Sequence, residues 1–145
     1  MEPDFLQQNW YWVLLATASG TFVIVDTIRT AMDRSALAPM DATNKINRED
    51  ATVIDVREKL EYTQGHIPNA RHIPLAELDR RLPELSKLKN SPLIVCCASG
   101  SRSRTALAKL KNEGFEQVFN LRGGINEWEK AGQPLATGRK AKGKK

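Results

Sequence analysis

The amino-acid sequence predicts an α/β domain: a parallel sheet flanked by helices, preceded by one apolar N-terminal helix. Three short segments, at residues 51–56, 93–96 and 117–121, are mostly apolar. Such segments are typical of strands that are covered on both faces, as in a parallel sheet. Helical patterns separate them, which is the order of strands joined by crossover helices. The N-terminal helix is predicted by a third observation, the absence of charged residues from Phe5 to Val25.

The helical segments of the domain follow the strands in order. Residues 75–88 are predicted to form helical turns that are broken at Pro83, which lacks a backbone donor. A longer helix over residues 102–113 has apolar positions at helical spacing and is followed by a glycine that can end it. A short helix over residues 125–131 closes the domain. No strand is evident in residues 35–47, so the number of strands stays open.

Length and composition limit the class of protein. A chain of 145 residues is long enough for one domain with its own core. A mean hydropathy of −0.44 excludes a protein with many membrane spans, and 41% hydrophobic residues argue against wholesale disorder. The two cysteines are adjacent and the two histidines show no zinc-ligand spacing. We therefore expect no disulfide framework, no metal and no cofactor.

The net charge of +5 belongs to the C-terminus, because 22 Lys and Arg face 17 Asp and Glu, and five of those cations lie in residues 138–145. Residues 136–145 are predicted to form a disordered basic tail. The tail either keeps the protein soluble or contacts anionic lipid at the membrane surface. Since no basic helix or interleaved aromatic residues accompany it, nucleic-acid binding is not expected.

Residues 1–28 are predicted to form a transmembrane anchor. A helix from Trp10 to Ile28 is roughly 28 Å long at about 1.5 Å per residue, close to the ~30 Å hydrocarbon core of a bilayer. Three aromatic residues at its start, Trp10, Tyr11 and Trp12, are typical of a membrane interface. An interfacial helix and a buried core helix are the alternatives. A cleaved signal peptide is not favoured, because acidic residues precede the apolar segment.

The charges that flank this segment predict its orientation. Arg29 and Arg34 follow it closely, whereas no Lys or Arg precedes it. Because cations favour the cytoplasmic side, we expect a single-pass protein of the cell membrane with a cytoplasmic domain. Residues 29–41 are predicted to form a juxtamembrane linker and residues 42–135 the folded domain. A reducing cytoplasm is consistent with a free thiol.

Candidate chemistry lies where the strand at residues 93–96 ends. Cys97 opens a loop of small residues, and Arg102 lies at the start of the following helix. Backbone N–H groups of such a loop can surround an atom attached to the sulfur, while the helix N-terminus and the guanidinium lower the thiol pKa. The pattern predicts a nucleophilic Cys97 in a loop that binds an anion or a persulfide. The predicted loop residues are Ala98, Ser99, Gly100, Ser101 and Ser103. A buried structural cysteine before a helix-capping loop is the alternative.

Four motifs give the chain a resemblance to a known family. They are Ile54-Asp55-Val56-Arg57 followed by Glu61-Tyr62, Gly65-His66-Ile67-Pro68-Asn69-Ala70 followed by Ile73-Pro74, Cys97-Ala98-Ser99-Gly100-Ser101-Arg102-Ser103, and Gly123-Gly124 with Trp128. Residues 42–135 resemble a single-domain rhodanese, with the third motif similar to the family's catalytic loop.

The resemblance implies a sulfurtransferase. Cys97 would take a sulfane sulfur from a donor such as thiosulfate or a persulfide and pass it to a thiol acceptor. Arg102 would supply positive charge beside the sulfur. Four further family positions, Asp55, Arg57, Glu61 and His66, are expected to support the fold and the loop rather than to act in catalysis.

Two other functions compete with this one. The first is a cysteine-dependent phosphatase, because five residues separate Cys96 from Arg102 as in the H-C-x5-R motif. Val95 stands where that motif has histidine, and Cys96 continues the apolar strand, so sulfur chemistry is favoured. The second is a non-catalytic rhodanese-like module that binds a partner at the membrane, which the retained Cys97 disfavours.

Overall fold

A computed structural model describes residues 4–138, apart from the side chains of Leu6 and of residues 30–32. All strand pairs of its five-stranded sheet are parallel, in the order β1-β5-β4-β2-β3. The strands are β1 (Ala36–Leu37), β2 (Thr52–Asp55), β3 (Arg71–His72), β4 (Leu93–Cys96) and β5 (Val118–Leu121). The predicted parallel α/β sheet is therefore confirmed.

Seven α-helices are present in the described residues. They are α1 (Phe5–Gln8), α2 (Trp10–Met32), α3 (Pro39–Glu49), α4 (Lys59–Gln64), α5 (Leu78–Arg81), α6 (Ser101–Asn112) and α7 (Gly124–Lys130). Two 3₁₀ segments, Leu75–Glu77 and Leu82–Leu88, flank α5. The break predicted at Pro83 thus corresponds to a 3₁₀ segment, which does not require the full set of α-helical hydrogen bonds.

The chain divides after Arg34 into two compact units. In the first unit, the segment Trp10–Arg29 of α2 is long and apolar enough to cross a membrane by length and composition, and none of the residues in that stretch is buried. The predicted linker, residues 29–41, holds the end of α2, strand β1 and the start of α3. Residues 139–145, which carry the five cations of the predicted tail, lie outside the described residues.

Strand β1 supplies the element that could not be found in residues 35–47. It consists of Ala36 and Leu37 and pairs with Asn120 and Leu121 of β5. Two residues are too few to show the alternation that identifies a strand. Helix α3 begins directly after it with Pro39 in the first turn, where a proline is well tolerated.

Strand β4 divides the core between the two faces of the sheet. Val95 and Cys97 belong to the cluster that packs against α6, whereas Ile94 and Cys96 belong to the cluster that contains Trp128 of α7. This separation follows from the period of two along a strand. The adjacent cysteines therefore lie on opposite faces, and only Cys97 is at the loop end.

Candidate active site

The Cys97 loop, residues 97–103, leaves the carboxyl end of β4 and turns directly into α6. Gly100 has a φ of 99°, a left-handed conformation that a glycine adopts without strain. This turn brings the Gly100 N–H to 3.0 Å from Cys97 Sγ. The loop thus curls around the sulfur at its centre.

Hydrogen bonds set the ionisation of Cys97. Burial raises its pKa, but the hydrogen bonds that a thiolate can accept, from the Ser103 hydroxyl when it turns to the sulfur and from the N–H groups of Ser103, Gly100 and Ser99, outweigh burial, so the pKa lies below its usual value. Ser103 Oγ lies 3.4 Å from Sγ. The residue is fully buried.

Helix α7 fixes the direction of the loop's peptide groups. The N–H of Ile125 donates to the Cys97 carbonyl at 2.9 Å, and the N–H of Asn126 donates to the Ala98 carbonyl at 3.1 Å. A Cβ on Gly124 would lie 2.3 Å from the Cys97 carbonyl oxygen, so only glycine fits there. Since the Ala98 carbonyl points to α7, the N–H of Ser99, on the opposite side of the same peptide group, is left to face the sulfur.

Arg102 is held by Glu61 of α4. Its Nη1 and Nη2 donate to the two carboxylate oxygens at 2.8 and 2.9 Å. This bond lowers the pKa of Glu61 to about 2, and the same bond raises the pKa of Arg102. Glu61 also accepts from the N–H of Glu58 at 3.0 Å, as the second half of a capping box.

The other predicted supporting residues form a second group around the end of β2. Arg57 pairs with the carboxylate of Asp55 at 2.7 Å and donates to the Gly65 carbonyl at 2.6 Å. His66 donates from Nδ1 to the Tyr62 carbonyl, and its ring stacks on the Tyr62 ring. These contacts hold the two ends of the segment that carries Glu61. These three predicted residues therefore influence the position of Arg102 only through α4.

The remaining predicted loop residue, Ser101, is exposed and begins α6. Asn120 of β5 was not predicted, although it is buried against the loop and bonds to Ser103 and Gly100. Its signal in the sequence is a polar residue inside an apolar strand. Between residues 4 and 138, no cluster of His, Cys, Asp and Glu could hold a metal ion.

Cys96, the cysteine of the phosphatase alternative, has a different environment. It is the last residue of β4 and fully buried in the core cluster of the opposite face. Burial, and next the charge of Asp55, raises its pKa well above the usual value. A thiol that resists ionisation is a poor nucleophile, so the structure offers no support for phosphatase chemistry at this position.

Comparisons with known proteins identify the family of this domain. The chain matches the Rhodanese-like domain family over residues 38–131. It is 38% identical over 87 residues to a sulfurtransferase of Allochromatium vinosum, covering 60% of this chain and 79% of that protein. It is 32% identical over 130 residues, 88% of each chain, to the uncharacterized protein YibN of Escherichia coli K12.

Two further similarities are partial. The chain is 40% identical over 80 residues to the putative sulfur carrier protein YrkF of Bacillus subtilis, a match to 55% of this chain and only 42% of that protein. The crystal structure of a rhodanese-related protein from Thermoplasma volcanium superimposes with a TM-score of 0.64 at 32% identity, over 70% of this chain and 96% of that one. Because the family match includes the Cys97 loop and four of the five strands, the chain belongs to the rhodanese family.

Proposed function

We propose that the protein is a sulfurtransferase that carries sulfane sulfur as a persulfide on Cys97. The observation that carries the proposal is the position of Cys97 Sγ, which faces the inward N–H groups of its loop and has a lowered pKa. Such donors stabilise a thiolate, and they suit the negative outer sulfur of a persulfide equally well. Relatives that are named as a sulfurtransferase and as a putative sulfur carrier support the same chemistry.

The proposed loading step needs only the Cys97 thiolate and a sulfur donor. The Cys97 thiolate attacks the outer sulfur of thiosulfate, a sulfur–sulfur bond forms to Cys97, and sulfite leaves with the electron pair of the broken bond. An acceptor thiolate then attacks the outer sulfur of the persulfide and returns Cys97 as a thiolate. Arg102 at the edge of the loop is the one guanidinium that we assign to the anionic donor.

The adjacent cysteines allow a matched test of this function. The full-length chain in mild detergent is incubated with thiosulfate or with a low-molecular-weight persulfide, and its intact mass is measured. We expect one added sulfur on the wild-type chain and on Cys96→Ala, and none on Cys97→Ser. A Cys97→Ser chain that still gains sulfur would contradict the proposal. A wild-type chain that gains none from either donor would favour the non-catalytic binding module.

We also propose that α2 anchors the protein in the cell membrane as a single span, with the domain on the cytoplasmic side. The apolar stretch Trp10–Arg29, with its aromatic residues at one end and arginines after the other, supports this arrangement. Contact of the basic tail with anionic lipid stays a prediction from charge alone.

A further inference from the structure

Asn120 lies beneath the Cys97 loop and bonds to two of its residues. It is on β5, the neighbour of β4 in the sheet, and only 4% of its surface is exposed. Its Oδ1 accepts a hydrogen bond from the Ser103 hydroxyl at 2.5 Å, and its Nδ2 donates to the Gly100 carbonyl at 3.4 Å. One side chain thus contacts two of the three residues whose side chain or N–H approaches the sulfur.

The Gly100 carbonyl determines which way the Asn120 amide points. If the amide were reversed, its oxygen would face the Gly100 carbonyl oxygen, and two acceptors would be buried against each other. The amide nitrogen therefore faces Gly100, and the amide oxygen faces Ser103. In this orientation Oδ1 can only accept, so the bond between the two side chains uses the hydroxyl proton of Ser103.

Ser103 has a single hydroxyl proton for two acceptors. When that proton is directed at Asn120 Oδ1, Ser103 Oγ offers only its lone pairs to Cys97 Sγ, 3.4 Å away. A thiol can then donate to Ser103, and the neutral inner sulfur of a persulfide needs no donor. A thiolate does need one, and it receives the proton only if the hydroxyl turns away from Asn120.

We propose that Asn120 is a positioning residue that holds the Ser103 hydroxyl proton and thereby favours the thiol and persulfide forms of Cys97 over the thiolate. The persulfide half of this statement rests on the proposed function, whereas the thiol half does not. The energetic basis is competition, because a Ser103 hydroxyl that turns to the thiolate leaves the buried Asn120 Oδ1 without its hydrogen-bond donor.

The competition acts at the unloading step. When an acceptor thiolate attacks the outer sulfur, the bond between the two sulfurs breaks and its electron pair goes to Cys97 Sγ. One negative charge enters with the acceptor and one leaves with the new persulfide, so Cys97 takes over the charge of its former outer sulfur. Because Asn120 opposes the turn of the Ser103 hydroxyl toward that charge, it slows unloading and lengthens the life of the loaded form.

Charged groups near the sulfur must be held constant in a test. Arg102 of α6 interacts electrostatically with Cys97 and with Glu61 of α4 and Glu58, the residue that precedes α4, and Cys96 is adjacent to Cys97 on β4. None of them contributes the hydroxyl proton. A change at Asn120 that keeps these groups in place therefore reports on Ser103.

The test is a thiolate titration of the full-length chain in detergent, followed by ultraviolet absorbance, with the curve of Cys97→Ser subtracted. Asn120→Leu keeps the volume and removes both polar atoms. We expect the ratio of thiolate to thiol at a given pH to rise about 3- to 10-fold, as the freed hydroxyl donates to sulfur. In a Ser103→Ala background, Asn120→Leu should not change the ratio further.

The double variant separates a proton effect from loosened packing. A fall in the ratio for Asn120→Leu, or the same change with and without Ser103, would overturn the proposal. If Asn120→Leu does not fold, the cycle is repeated with Asn120→Asp, whose carboxylate holds the proton more tightly. Asn120→Asp should then lower the ratio of thiolate to thiol, and it should lower it more in a chain that retains Ser103 than in Ser103→Ala. Equal falls in the two backgrounds would overturn the proposal. Because no sulfur donor is present, this result is independent of sulfur loading.

Discussion

Glu61 binds both terminal nitrogens of Arg102, at 2.8 and 2.9 Å, although 41 residues separate them in the chain. The pair lies at the edge of the Cys97 loop, and about a third of each side chain is exposed. A partly exposed ion pair contributes little net stability. The carboxylate of Glu61 neutralises the charge of Arg102, so under the proposed function an anionic sulfur donor has to compete with Glu61 for the guanidinium.

Replacing Glu61 with glutamine should improve the use of thiosulfate. Glu61→Gln keeps an oxygen for the Glu58 N–H but removes the charge that occupies Arg102. We expect the KM for thiosulfate to fall about 3- to 10-fold. This range corresponds to the free energy of one charge-assisted hydrogen bond that is weakened by exposure to solvent. Steady-state rates over a range of thiosulfate concentrations measure it.

A matched control is Glu84→Gln, which removes the same charge from an exposed ion pair with Arg81. This variant should leave the KM unchanged. A rise in KM for Glu61→Gln would show that Glu61 orients Arg102 for the donor instead of competing with it.

The same ion pair predicts a pH dependence of stability. The pKa of Glu61 is lowered from 4.5 to about 2. Its ion pair therefore stabilises the fold fully above pH 4.5, and this stabilisation is lost as the pH falls toward 2. The difference in unfolding free energy between wild type and Glu61→Gln should therefore shrink between about pH 5 and about pH 3. Urea unfolding at the two values measures it, and a constant difference would contradict the assignment.

The buried ion pair of Asp55 and Arg57 should matter far more for stability than an exposed one. Both side chains are nearly inaccessible, at 0% and 7% exposure. Asp55→Asn leaves the Arg57 charge without a counter-ion, which costs about 3 kcal/mol or more. The exposed pair of Lys45 and Glu49 has almost the same length, 2.8 Å, and Glu49→Gln should cost less than about 1 kcal/mol. Urea unfolding of the two variants gives the comparison.

The sequence predicts the sheet and the Cys97 loop because both depend on local patterns. Three apolar segments mark the central strands, and a cysteine followed by small residues marks the loop. Contacts between distant elements leave no such pattern, so neither the pair of Glu61 and Arg102 nor the place of Asn120 beneath the loop could be predicted. Strand β1 was missed for another reason, since two residues carry no periodicity.

Gly124 should be required for the Cys97 loop and not only for its own turn. It has a φ of 60°, and an added Cβ would lie 2.3 Å from the Cys97 carbonyl oxygen. Gly124→Ala therefore pushes α7 away from the loop and breaks the bonds that orient it. We expect a loss of about 2 kcal/mol or more in the free energy of unfolding.

Sulfur loading of Gly124→Ala should fall at least tenfold, because misdirected N–H groups stabilise the persulfide less. Gly132→Ala is the matched control. Gly132 also has a left-handed conformation, with a φ of 72°, but a Cβ added to it would meet no atom within 4 Å. It should lose stability through backbone strain alone and keep sulfur loading, so equal loading by the two variants would contradict the role of Gly124.

The membrane anchor can be tested by charge substitution with a matched control. Leu15 and Phe22 lie within the apolar stretch of α2, where each lysine costs about 3 kcal/mol near the membrane centre. The full-length chain should stay in the membrane fraction after alkaline extraction, whereas the double variant Leu15→Lys/Phe22→Lys should move to the supernatant. Gln7→Lys/Gln8→Lys adds the same charge before the stretch and should remain in the membrane. A wild-type chain that is extracted would contradict a membrane span, because an interfacial helix is released by this treatment.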